Sequence, residues 1–162
     1  MTTITDKTIE RLWRRINEAA PEAGQKLMEK MTSEQPFLIA YLLAIEETIL
    51  AEHERGELLL LGVFIWQSLS SVQSPLKQVT QEEIESVEAR NLKFLEDLEA
   101  GSEMDYVSAM QQLTSTYNQM PLLGAVIESI MSGHEEEPEM APDNLGLALL
   151  HLKTIIDCLD QE

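Results

Sequence analysis

A single cysteine, Cys158, in 162 residues excludes an internal disulfide and gives no reason to expect an oxidising compartment. Aromatic residues make up only 5% of the chain, so the 44% hydrophobic content rests on Leu, Ile, Ala and Met, which favour helix over sheet. Gly and Pro number 7 and 6 and fall at intervals, as punctuation between helices does. Basic residues are scarce: 11 Lys and Arg stand against 29 Asp and Glu, for a net charge of −18. Nucleic acid and anionic membrane would both be repelled, so direct binding to either is not expected. No apolar run is long enough for a membrane span. The longest uncharged stretch starts at Leu58 and is strongly apolar only to Trp66, which suits a buried core helix. The opening MTTITDKTIERLWRR lacks a basic head followed by an apolar core, so it does not read as a signal peptide, and the cytoplasm is the expected location.

What is present is organised around residues 36–69, two very apolar runs on either side of Glu52-His53-Glu54-Arg55-Gly56. Each run would expose apolar surface around most of its circumference if it stood alone, so the pattern predicts a buried helical hairpin. Thr5 or Asp6 caps a first helix carrying Ile9, Leu12, Trp13 and Ile16, with Arg11, Arg14 and Arg15 on its other side. Those arginines are the one basic cluster, expected mainly to answer the protein's own negative charge. Pro21 opens a second helix with Leu27, Met28 and Met31 inward. Ser33 caps a third, with Pro36 in its first turn, running to about Glu54 and stopped by Gly56. A fourth helix, about 57–70, is apolar nearly all round, and 71–81 connects it to the next. Thr80 with Glu83 makes a capping box for a fifth helix, whose stripe is Ile84, Val87, Phe94, Leu95 and Leu98 and whose end is Gly101. A sixth, about 103–115, shows Val107, Met110 and Leu113. A seventh begins at Asn118 as cap, holds Pro121 and ends at Gly133. Residues 134–143 read as a solvated acidic loop, and about 144–159 form the eighth helix.

The halves resemble each other. At an offset of 82, Leu12, Trp13 and Ile16 fall on Phe94, Leu95 and Leu98, while Met28-x-x-Met31-Thr32-Ser33 falls on Met110-x-x-Leu113-Thr114-Ser115. Three residues further on, Ser33-x-x-Pro36-x-Leu38-x-Ala40 corresponds to Asn118-x-x-Pro121-x-Leu123-x-Ala125. The expectation is an all-α, single-domain bundle of about eight helices, built as two four-helix pseudo-repeats, 1–74 and 75–162. Charge divides unevenly between them: 7 basic and 11 acidic residues in the first, 4 and 18 in the second.

No catalytic, cofactor or metal motif emerges. His53, His134 and His151 lack the i, i+3 or i, i+4 partner that a zinc helix or a di-iron bundle requires. Glu46 and His53, seven apart, would share a helix face, which allows one carboxylate–imidazole pair, expected to be structural and not catalytic. His134-Glu135-Glu136-Glu137 lacks the glycine and alternating oxygen ligands of a calcium loop. Cys158 lies among Ile155, Ile156 and Leu159 as a small core or interface residue. Asn91 falls within the fifth helix's apolar stripe, where it either satisfies a backbone group or lines a pocket.

The surface signal with most content is also on the fifth helix. At 100° per residue, Glu85, Glu88, Leu92, Glu96 and Glu99 fall within about 80°, an acidic flank with a leucine at its centre. The function expected is non-enzymatic: contact with a protein partner that offers a basic surface, anchored on Leu92 and steered by the carboxylates. Two alternatives belong to other classes. One is an acidic nucleic-acid mimic or immunity-type antagonist of a nucleic-acid-binding protein. The other is an enzyme or metal or small-molecule binder whose pocket lies between the halves, lined by Glu46, His53 and Asn91. The excess of apolar side chains in 36–69 also leaves a homodimer open.

Overall fold

In the computed structural model, residues 1–45, 48–134, 137–138 and 140–161 are described. Among them the chain forms eight α-helices: α1 (Asp6–Asn17), α2 (Pro21–Glu34), α3 (Pro36–Leu43), α4 (Glu52–Val72), α5 (Gln81–Ala100), α6 (Glu103–Thr116), α7 (Met120–Met131) and α8 (Leu145–Leu159). A two-residue antiparallel pairing, Gly133–His134 with Glu137–Pro138, and a 3-10 turn at Pro142–Asn144 lie between α7 and α8. No described helix is long and apolar enough to cross a membrane. The protein is an all-α single domain.

α4 and α8 pack against each other at the centre. α4 buries Leu58, Leu61, Phe64, Ile65, Trp66 and Leu69, and α8 buries Ala148, Leu152, Ile155, Ile156 and Leu159. Each large side chain removed from water contributes about 1.5–3 kcal/mol, so this pair carries much of the core. α1 lies on α4 and reaches α7; α5 lies on α8 and reaches α3. Trp13 meets Phe64 edge-on, ring centres 4.9 Å apart, which seats α1 on α4. Cys158 is a core residue, and burial pushes its thiol up to about 12.

The caps follow local chemistry. The Thr5 hydroxyl accepts from Thr8 N–H at 3.3 Å. The Thr80 hydroxyl accepts from Glu83 N–H at 3.2 Å, while the Glu83 carboxylate accepts from Thr80 N–H at 2.8 Å. Pro21 and Pro36 stand in the first turns of α2 and α3.

Several boundaries depart from expectation. The third helix ends at Leu43 instead of Glu54, and α4 starts at Glu52 and runs straight through Gly56, so the bend of the hairpin lies upstream of the charged cluster. The cause is Glu54. Its buried carboxylate accepts from Ala51 N–H at 2.9 Å, capping α4, and also from Ala141 N–H at 3.0 Å and from the Asn144 amide at 3.0 Å. Burial alone would raise its pKa, but these hydrogen bonds, with the charge of His53, hold it below the usual carboxylate range. Ser33 is inside α2, and the caps of α3 and α7 are Gln35 and Gln119 instead of Ser33 and Asn118. Val107 is exposed, off the inward side of α6.

Both cap glutamines are fully buried, and their side chains turn away from their own helices. The Gln35 amide accepts from Val79 N–H at 2.9 Å and donates to the Lys77 carbonyl at 3.0 Å. The Gln119 amide accepts from Ile4 N–H at 3.1 Å and donates to the Thr2 carbonyl at 3.0 Å. Each one fixes the extended residues that lead into a helix of the opposite half.

Candidate functional site

α5 is aimed by what precedes it. With Gln35 holding residues 77–79 and the capping box closing its first turn, α5 buries Ile84, Val87 and Asn91 and turns its acidic flank outward. Glu85, Leu92, Glu96 and Glu99 are exposed, Leu92 at 43%, and Glu88 is half-buried. The strip expected from the helical wheel is therefore a surface strip.

Two of its five residues, Glu85 and Glu88, also line a groove, while Leu92, Glu96 and Glu99 lie outside it. Gln81, Ile84, Glu85 and Glu88 of α5 face Phe37, Ala40 and Tyr41 of α3 and its C-cap Ala44 across a cleft of about 310 Å³. The floor is apolar, Phe37 stands 40% exposed at its side, and two carboxylates line the α5 wall. Leu43, at the end of α3, is 62% exposed. Beneath the floor the Tyr41 ring stacks on His151 of α8, centres 4.6 Å apart and 20° from parallel. The His151 Nδ1–H donates to the Leu147 carbonyl at 2.9 Å, which assigns the tautomer. Burial lowers the His151 pKa, opposed by the Leu147 carbonyl and by the Glu88 charge, so the ring is neutral near pH 7. The Tyr41 phenol is pushed well above its ordinary value by burial and by Glu88.

Sequence reasoning singled out Glu85 and Glu88 of the α5 wall and none of the α3 wall. Phe37 and Tyr41 are four apart, as are Ala40 and Ala44, so two small residues lie beside two rings along one side of α3. That spacing is a readable sign of a cleft, but nothing local says which helix faces it.

Behind α5 lies a polar network. Asn91 is buried, and its amide donates to Thr154 Oγ1 and to Asp157 Oδ2, both at 3.1 Å. Its oxygen accepts from Lys153 Nζ at 2.8 Å, and Lys153 also reaches Asp157 Oδ2 at 2.8 Å. The Tyr117 hydroxyl donates to Asp157 Oδ1 at 2.6 Å, and Lys153 sits 4.8 Å from the Tyr117 ring centre. Asn91 thus bonds side chains and no backbone group, and of its two expected roles it fills the other, lining a pocket. That pocket lies among α5, α6, α7 and α8, inside the second half.

Of the residues expected to line a pocket between the halves, Asn91 lines the pocket inside the second half, and His53, exposed in the first turn of α4, is not among that pocket's lining residues. Glu46 lies outside the described residues. Glu135 and Glu136 of the acidic loop lie outside them too. Among the described residues no group of three or more His, Cys, Asp or Glu could hold a metal ion. Arg11, Arg14 and Arg15 are exposed and form no ion pair among the described residues, so the expected answer to the protein's own charge is not made by contact. The chain matches no protein-family model, no curated protein and no solved structure.

Proposed function

We propose that the protein works by binding a partner through the α3–α5 groove, and that the occupant is an amphipathic helix with a basic flank. The observation that carries this is the coincidence of two features that arise independently: the acidic strip Glu85, Glu88, Leu92, Glu96, Glu99 and an apolar-floored cleft that shares Glu85 and Glu88 with it. Apolar anchors of the partner enter between Phe37, Tyr41 and Ile84, Leu92 extends the contact, and Lys or Arg side chains meet the carboxylates. Charge steers the approach, since the second half carries 4 basic against 18 acidic residues.

A second copy of the chain fits this groove less well. The arginines of α1 supply charge, but Ile9 and Leu12 of that helix are already buried, so it brings no free apolar side chain. An antagonist of a nucleic-acid-binding protein would use the carboxylates and leave the floor without a role, because a phosphate backbone has no apolar counterpart to mimic.

The test is binding of a labelled amphipathic peptide, Leu on one side and Lys on the other, read by fluorescence anisotropy. Affinity is expected to fall at least tenfold between 50 and 300 mM salt, and a further tenfold in Glu85→Lys/Glu88→Lys and in Phe37→Asp. Equal binding by wild type and both variants would sink the groove. A dimer in sedimentation that the same substitutions dissolve would replace the helix by a second copy, and competition with DNA for a basic target would favour the antagonist.

The two-quartet reading of the fold belongs here as well. It is supported by the way α1 crosses to α7 while α5 crosses to α3, by the central α4–α8 pair, and by the matched glutamines. The equivalence these contacts favour pairs Thr5 with Thr80, Ile9 with Ile84 and Leu12 with Val87, a separation of 75, in place of 82. α2 and α6 break the correspondence: α2 packs on α3 and α4, α6 on α5.

A further inference from the structure

The geometry points to a small-molecule site in the cavity among α5, α6, α7 and α8, taking an uncharged, mostly apolar ligand with one hydrogen-bond-accepting oxygen. The cavity measures about 310 Å³, near the lower end of the range of ligand pockets, about 300–1,000 Å³. Its walls are Leu95, Leu98, Met110, Leu113, Leu123 and Ile127, and its polar end is Asn91 and Lys153. It shares no lining side chain with the α3–α5 groove.

The polar end sets the ligand's head. Lys153 lines the cavity and has three N–H donors; Asn91 Oδ1 takes one and Asp157 Oδ2 a second, leaving one, now beside the Tyr117 and Phe94 rings, that an acceptor in the cavity would draw to itself. Asp157 does not line the cavity, and it already accepts from Lys153, Asn91 and Tyr117. The Lys153–Asp157 pair is neutral as it stands, so an anionic head would add an uncompensated charge to a largely buried site. Glu99 at the cavity wall opposes an anion further. A hydroxyl or carbonyl oxygen meets the same donor without either cost.

α6 is the least buried wall of the cavity. None of its residues is fully buried, it packs chiefly on α5, and Met104, Tyr106 and Val107 are exposed while Met110 and Leu113 face the cavity. A helix held this lightly moves aside at low cost and is secured when its inner side gains a ligand to rest on.

The experiment uses the whole chain with 1-decanol, decane and decanoate as probes, read by thermal unfolding and by amide hydrogen exchange. 1-Decanol is expected to raise Tm by several degrees near saturation and to slow exchange in residues 103–116, with decane and decanoate each giving less than half that shift. Leu113→Trp fills the cavity and should abolish the shift; if it fails to fold, Met110→Trp places similar bulk there from the preceding turn. The proposal is overturned if 1-decanol gives no shift in the wild type, if exchange slows elsewhere but not in α6, if decanoate matches the alcohol, or if a folded filled variant responds as the wild type does.

Discussion

Gln35 and Gln119, 84 positions apart and both without solvent exposure, make the same two hydrogen bonds to opposite ends of the molecule. Each accepts from the N–H of one apolar residue, Val79 or Ile4, and donates to the carbonyl two positions before it. Neither bond belongs to a helix, yet each decides where a helix can start, because the residues it holds lead directly into the capping threonines of α5 and α1.

Replacing either glutamine by leucine keeps the bulk and strands the partners. Gln119→Leu leaves the Ile4 N–H and the Thr2 carbonyl unpaired, and is expected to cost about 2–4 kcal/mol. Gln35→Leu should cost less, about 1–3 kcal/mol, because the Lys77 carbonyl keeps its second donor, the Gln161 amide at 3.0 Å. Urea unfolding midpoints measure both, and the reverse order would show that the clamps are not what holds these segments.

Two glycines of α4 should respond with opposite signs. At Gly56 an added methyl group meets open space within the helix, so Gly56→Ala is expected to stabilise by about 0.5–1 kcal/mol. Were Gly56 a left-handed helix stop, as the sequence pattern had it, the same change would destabilise. At Gly62 the methyl group would collide with Leu42 Cδ1 of α3, and Gly62→Ala should lose about 1–2 kcal/mol net of its helix gain. In a Leu42→Ala background the penalty should vanish, a coupling that a double-mutant cycle reads directly.

Glu54 ties the start of α4 to the turn before α8, so Glu54→Gln should cost about 1–3 kcal/mol at neutral pH. The pH dependence carries a sign. Its folded pKa is below its unfolded value, so its stabilisation is full above the unfolded range, near pH 4.3, and is lost as pH falls through the folded value. The gap between wild type and Glu54→Gln, followed by denaturant titration from pH 6 downward, should close in that acidic window and stay constant above it.

His151 works the other way round from a paired histidine. Its folded pKa is depressed by burial, so below about pH 6.5 the unfolded chain takes up a proton that the native ring refuses. Stability should therefore rise with pH up to about 6.5 and level off. His151→Phe keeps a ring against Tyr41 and should flatten that slope; an unchanged slope would assign it to other groups.

How much of this could be read beforehand depended on the range of the interaction. The Thr80–Glu83 box and Pro21 act within a single turn and marked their helix ends correctly; Thr5 proved to be the cap of the two residues offered for α1, and Pro36 stands in the first turn of α3 as expected although the cap was placed two residues early, at Ser33. The start of α4 was misplaced because the local bond from Ala51 to Glu54 has no Ser, Thr, Asp or Asn cap to announce it and the contact that holds Glu54 in place is to Ala141, 87 residues on; a cluster rich in charge with a glycine looks like a turn until both are known. The site divides along the same line. One helix alone sufficed to reveal the acidic flank of α5 and the oddness of Asn91. Phe37 and Tyr41, Lys153 and Asp157 became visible only once packing had set one helix beside another.

The crossed pattern of the glutamines has a consequence for any severed form of the molecule. A fragment ending near Val72 carries Gln35 without residues 77–79, and the complementary fragment carries Gln119 without residues 2–4. Each piece holds the latch for a strand that travels with the other, so neither should be cooperative in isolation, while an equimolar mixture should recover a native spectrum. That interdependence suits the chain to use as a two-part reporter whose signal appears only when both pieces meet.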